Sequence, residues 1–149
     1  MNKQTSAMTA PFRFYTEGQL KLKKQAESAN MGSLPDWVDD ATGLRCQILR
    51  SPSIGCLCGY VAVPKTHPYY GKDYNDLDHI AVHGGLTFSG HHTDDEDVWW
   101  FGFDTGHYGD LVPGLIGCED GAVRDVDFVR NECIQLARQL LSTHVDALS

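Results

Sequence analysis

Asp104, His107 and Asp110 form a D-x-x-H-x-x-D run, and His83 precedes them in a separate segment, VHGG. Imidazole and carboxylate are the side chains that anchor polar ligands, move protons near neutral pH and bind borderline-hard metals. The run follows the apolar stretch VWWFGFD, so ionisable groups leave a rigid strand on a glycine-rich loop, where binding and catalytic groups concentrate. Two chemistries fit these residues.

In the first, the chain encloses a small, nucleotide-like ligand. Trp100 and the Tyr69/Tyr70 loop supply walls, His83, Asp104, His107 and Lys65 supply polar anchors, and Tyr74 helps to close the site. Flat aromatic faces with a few convergent polar groups are the usual make-up of such a pocket. Gly84, Gly85, Gly102, Gly106 and Gly109 leave room for a ligand to approach the backbone. No cofactor is called for here.

In the second, His83, Asp104, His107 and Asp110 hold a divalent transition metal such as Zn²⁺, Mn²⁺ or Fe²⁺. An open coordination position would activate water for hydrolysis of a phosphoester or amide, with Asp110 as general base. The spacing is no specific metal signature. Against both stands a purely structural account, in which Trp99 and Trp100 are core, Asp104 ends its strand as a turn acceptor and aromatic packing orders the tyrosine loop. There is no G-x-S-x-G elbow, no phosphate-binding P-loop and no G-x-G-x-x-G after a strand. Cysteine chemistry would require Cys118 or Cys58 beside a histidine. The catalytic residues, if any, stay unassigned.

The elements that must position these groups are read from periodicity. Residues 1–11 are polar and aperiodic, a terminal arm, and residues 12–149 form a single α+β domain. Thr16 to Gly32 reads as an exposed helix. Leu44 to Leu49 and Gly55 to Val63 read as an antiparallel hairpin, and Ile80 to Phe88 as a strand with Ile80, Val82, Leu86 and Phe88 on one face. Val98 to Asp104 alternates Trp99, Phe101 and Phe103 against Val98, Trp100, Gly102 and Asp104. Val126, Val129, Cys133, Leu136, Ala137 and Leu140 recur at helical spacing between Arg124 and Leu141, with Asp125 as cap. The expected fold is a small antiparallel sheet packed by a C-terminal helix, with two long functional loops flanking one end of it.

Composition narrows the partners. The 149 residues carry a formal charge of −8, which repels phosphate backbones and argues against DNA or RNA binding. The same charge, with the acidic loop from His91 to Asp97, supports a third class: an acidic inhibitor of a host protein. That loop reads as a solvated turn rather than a cation site. No apolar run is long enough to span a bilayer and the N-terminal residues do not resemble a signal peptide, so a soluble, cytoplasmic protein without a membrane partner is expected. The five cysteines, an odd number in sparse array, read as reduced thiols. Cys56 and Cys58 share a strand face and are conceivable zinc ligands, but small buried hydrophobes are the simpler reading. A homo-oligomer is left open.

The segments GYVAVPKTHPYYGKDY, VHGGLTFSG, WWFGFDTGHYGDLVP and RDVDFVRNECIQLARQL, spread over residues 44–141, resemble a family of small uncharacterised proteins carried by bacteriophages and prophages. The resemblance implies a bacterial host-cell cytoplasm and an accessory role. It carries no catalytic residue. Phage accessory proteins of this size include some that sequester nucleotide immune signals, which suits a binding pocket.

Overall fold

Residues 34–148, together with residue 17, are described by the structure, a computed structural model. The expected arm and, apart from Glu17, the expected first helix lie outside the described residues. Among the described residues the strands are β1 (Asp36–Val38), β2 (Arg45–Arg50), β3 (Leu57–Pro64), β4 (Phe88–Gly90) and β5 (Val98–Asp104), followed by helix α1 (Val126–Leu148). They form one five-stranded sheet in the order β1-β2-β3-β5-β4, and every pairing is antiparallel. This is the expected α+β fold, with the C-terminal helix packed on the sheet.

Alternation along β3 and β5 decides which side chains meet α1. Val61 pairs with Phe101 and Gly59 with Phe103, and these residues face the helix together with Leu57, Val63, Cys46 and Ile48. The helix answers with Val129, Cys133, Leu136, Ala137 and Leu140, all fully buried at the spacing that the sequence suggests. Gly59 is required by packing, since a methyl group there would run into the Phe103 ring and Cys133 Sγ. The Asp125 carboxylate accepts from Phe128 N–H at 2.9 Å and caps the helix.

The other sheet face carries a second, smaller cluster. Trp100 is fully buried there, opposite Ala62, with the His92 ring edge-on at 5.1 Å and the Arg45 guanidinium at 5.6 Å. His92 also stacks on Tyr60 at 4.2 Å and shares a 2.9 Å hydrogen bond with Gln47 Oε1. The acidic 91–97 turn is therefore anchored by an imidazole at its start.

Two expectations fail. Residues 80–87 are not a strand: only Phe88–Gly90 joins the sheet. Gly84 and Gly85 have φ of 69° and 80°, a left-handed pair that turns the chain, closed by Gly85 N–H to Val82 O at 2.8 Å. Ile80, Val82 and Leu86 still pack on the core, whereas Phe88 lies on the far face against Tyr60. The two long loops also leave the sheet at opposite ends, one after Pro64, which pairs with Val98, the other after Asp104, which pairs with Cys58. Those ends are about 20 Å apart at the rise of a strand.

Candidate functional site

The first loop crosses that distance along α1. His67 Nε2–H donates to Leu140 O at 2.7 Å, Ala81 exchanges hydrogen bonds of 2.8 and 2.7 Å with the Gln139 side chain, and His83 N–H donates to Glu132 Oε1 at 2.8 Å. Each anchor lies closer to the start of the helix than the one before, so His83 is delivered beside the loop that follows β5. Its imidazole packs edge-on against Phe128 at 5.2 Å and against His107 at 5.9 Å.

Asp110 is the hub of the meeting. Its side chain is only 1% exposed, yet it is charged, which is tolerable only when donors surround it. His83 Nε2 lies 3.0 and 2.9 Å from its two oxygens, Arg124 Nε–H donates to Oδ1 at 2.9 Å, and His107 N–H donates to Oδ2 at 3.1 Å. Burial pushes this carboxyl up, but the hydrogen bonds from His83, Arg124 and His107 N–H outweigh it and leave it below the usual carboxylate value. Since a carboxylate can only accept, His83 carries its proton on Nε2. The Arg124 guanidinium rests 4.6 Å from the centre of the Phe128 ring.

Asp104 serves a second set of contacts. Oδ1 accepts from Gly106 N–H at 2.9 Å, which turns the chain out of the strand, and Oδ2 accepts from Thr87 Oγ1 at 3.1 Å. His107 Nε2 comes within 3.1 Å of Oδ1 without the alignment of a hydrogen bond, so this buried nitrogen is left unsatisfied.

His107 and Asp110 border a half-open groove of about 410 Å³, otherwise lined by the 106–121 loop. Leu115, Ile116, Val112 and Tyr108 give it apolar walls, and Asp120 a polar edge. Tyr108 and Ile116 are almost wholly exposed.

The structure thus brings together His83, Asp104, His107 and Asp110. It separates them from the other expected ligand contacts. Lys65 pairs with Asp97 at 3.2 Å at the opposite end of the sheet. Tyr70 donates to Glu96 O, Tyr69 shares a 2.8 Å hydrogen bond with His79, and Trp99 Nε1–H donates to Lys72 O at 3.0 Å, contacts that order the tyrosine loop by itself. Tyr74 N–H donates to Ser89 Oγ at 3.0 Å. Trp100 belongs to the far face of the sheet and lines no part of the groove.

Arg124, Glu132 and Phe128 were missed as partners. A buried aspartate among histidines calls for a permanent cation, and Arg124 is the first arginine after the loop, which is the signal that could have found it. Among the described residues, no three His, Cys, Asp or Glu side chains are arranged to hold a metal ion. Asp110 fits such a role poorly, because its oxygens already serve His83, Arg124 and His107 N–H. Among the same residues, no helix is long and apolar enough to cross a membrane. No protein-family model, no curated protein and no solved structure matches the chain.

Proposed function

We propose that the protein is a small-molecule-binding protein, and that the 106–121 groove takes a nucleotide-like ligand. The ring of the ligand packs on Tyr108, Leu115 and Ile116, and its polar edge meets His107 and Asp120. The observation that carries the reading is the Asp110 hub, a buried carboxylate in the lining of the groove that holds the His107 backbone and is itself held by His83 and Arg124. Rigid polar anchors beside apolar walls, in a volume of about 410 Å³, are the make-up of a pocket for one small organic molecule. Binding without turnover is the simpler chemistry, since Asp110 has no oxygen free of a donor and His83 is locked onto it. The resemblance to phage accessory proteins makes nucleotide immune signals the first ligand class to try.

Native mass spectrometry of the purified protein, followed by thermal-shift titration with nucleosides, linear nucleotides and cyclic nucleotides, tests it. A ligand that is recovered unchanged and loses at least tenfold in affinity on Tyr108→Ala supports the reading. No bound species and no shift with any of these compounds overturns it.

A further inference from the structure

The 106–121 groove is apolar on its walls and negative in its polar groups. Leu115, Ile116 and Tyr108 all stand exposed along it, and an apolar patch left open to water in this way marks a binding surface. Asp110 and Asp120 belong to the same lining, and among the described residues none that lines the groove is lysine or arginine.

The donors that a phosphate would need beside the groove are already committed. Arg124 Nε–H donates to Asp110 at 2.9 Å and its guanidinium rests on the Phe128 ring. His107 has Nε2 buried, 3.1 Å from Asp104 Oδ1 and directly against Gly84, which is not part of the lining, so that edge of the imidazole faces away from the groove. Three backbone donors of the lining are taken as well: Gly106 N–H by Asp104 Oδ1 at 2.9 Å, His107 N–H by Asp110 Oδ2 at 3.1 Å, and Gly117 N–H by the Glu119 carboxylate at 3.1 Å. The formal charge of −8 repels phosphate at longer range. Asp120 is the opposite case. Among the described residues it takes part in no hydrogen bond or ion pair, so a carboxylate able only to accept stands open in the lining.

We infer that the groove reads the donor edge of a guanine-type base and leaves any phosphate of the ligand in solvent, with Asp120 as the residue that sets this specificity. The inference rests on the reading of the groove as a site for a nucleotide-like ligand and narrows that ligand to its nucleoside part. Guanine carries a ring N–H beside an exocyclic amine, two parallel donors that one carboxylate accepts together, as it accepts the fork of an arginine. Adenine and cytosine set their amine beside a ring nitrogen that is itself an acceptor, which a carboxylate repels. Uracil has a single ring N–H between two carbonyls. With the base on Tyr108 and its donor edge on Asp120, the sugar points to the open side of the groove, which keeps a phosphate away from the charges of Asp110 and Asp120.

Calorimetric titration with guanosine, inosine, adenosine and guanosine monophosphate, each at low and at raised salt, tests it. Guanosine should bind about tenfold tighter than inosine, which lacks the amine, and than adenosine, which lacks the ring N–H. At low salt the monophosphate should bind more weakly than guanosine, and the gap should close as salt rises. Asp120→Asn, with an unchanged urea midpoint, should cost guanosine about tenfold and narrow its lead over the monophosphate. Asp94→Asn removes the same charge from the turn that leads into Val98, at the opposite end of the sheet, and should change neither. Tighter binding of the monophosphate at low salt, no preference among the bases, or guanosine binding that survives Asp120→Asn unchanged would overturn the inference. If such binding is still lost on Tyr108→Ala, the groove remains the binding site and only its specificity has been misassigned. Silence with all four compounds overturns the inference too, whereas the wider reading falls only when the cyclic nucleotides are silent as well.

Discussion

Gly84 lies directly against the imidazole of His107, so closely that a methyl group at its Cα would penetrate the ring. The turn that ends the first loop and the histidine that borders the groove therefore pack together with no room for a side chain at residue 84. Gly84 also has a φ of 69°, which costs an alanine about 1–2 kcal/mol before any collision.

Gly84→Ala should accordingly lower stability by about 2–4 kcal/mol, conformational strain and overpacking together. Gly85→Ala is the control, because Gly85 has a similar φ of 80° but open space around its Cα. It should cost about 1–2 kcal/mol. Urea midpoints of the two variants compare them, and equal losses would mean that the contact with His107 carries no weight.

Asp110→Asn preserves shape but sets an amide among donors. One of His83 Nε2–H, Arg124 Nε–H or His107 N–H must lose its acceptor. A buried ion pair broken on one side costs about 3 kcal/mol, and chemical denaturation at pH 7 should show a loss of that order. The wild type has a further signature. Its folded Asp110 value lies below the ordinary 3.8, so the stabilisation is present above that value and is lost as pH falls through the folded one. The variant should lose less stability than wild type below about pH 4.

A second acid-sensitive window lies nearer neutrality. Burial holds His67 below its ordinary 6.5, the Leu140 carbonyl opposing and His144 adding to the effect; burial and then Arg45 do the same to His92. His67 also accepts Tyr69 N–H on Nδ1 at 3.0 Å, which protonation would forbid. Above 6.5 both folded and unfolded forms are neutral; below it the unfolded chain binds protons first. Stability should therefore decline as pH drops from about 7 towards 5. His92→Gln should remove part of the decline, and a pH-independent urea midpoint over that range would contradict the assignment.

Tyr108 is fully exposed, so its loss should leave the fold untouched. Tyr108→Ala should change stability by no more than about 0.5 kcal/mol. Any larger loss of ligand affinity then reports on the groove alone. Ile116→Ser, on the same rim, should behave alike in denaturation and in titration.

Periodicity made the helix, the hairpin and the alternation of β5 legible, because in each the buried face repeats at the period of its own backbone. Residues 80–88 misled for the same reason. Ile80, Val82 and Leu86 are spaced like a strand and do bury, but against the helix and with Gly84 and Gly85 turning the backbone between them. Among the site residues, the members close in sequence came together with His83. Lys65, Tyr69, Tyr70 and Trp100 did not, since the end of the sheet at which a loop emerges and the face that a strand residue takes depend on pairing order. Periodicity marks Arg124 only as the start of the helical range, and its 2.9 Å contact with Asp110 reveals it as the counter-ion.

The pairing of β3 with β5 at the centre of the sheet joins strands separated by residues 65–97. The β2–β3 hairpin can close on its own within microseconds, but the central pairing must wait for that whole span to be gathered in. Until then Val61 and Val63 of β3 have no strand beside them on the β5 side. His83 lies within that span and Asp110 beyond β5, so the hub is assembled late, and a nascent chain halted before β5 holds neither the groove nor a complete sheet. Slow, non-local folding with a window of exposed strand edge follows directly from the strand order.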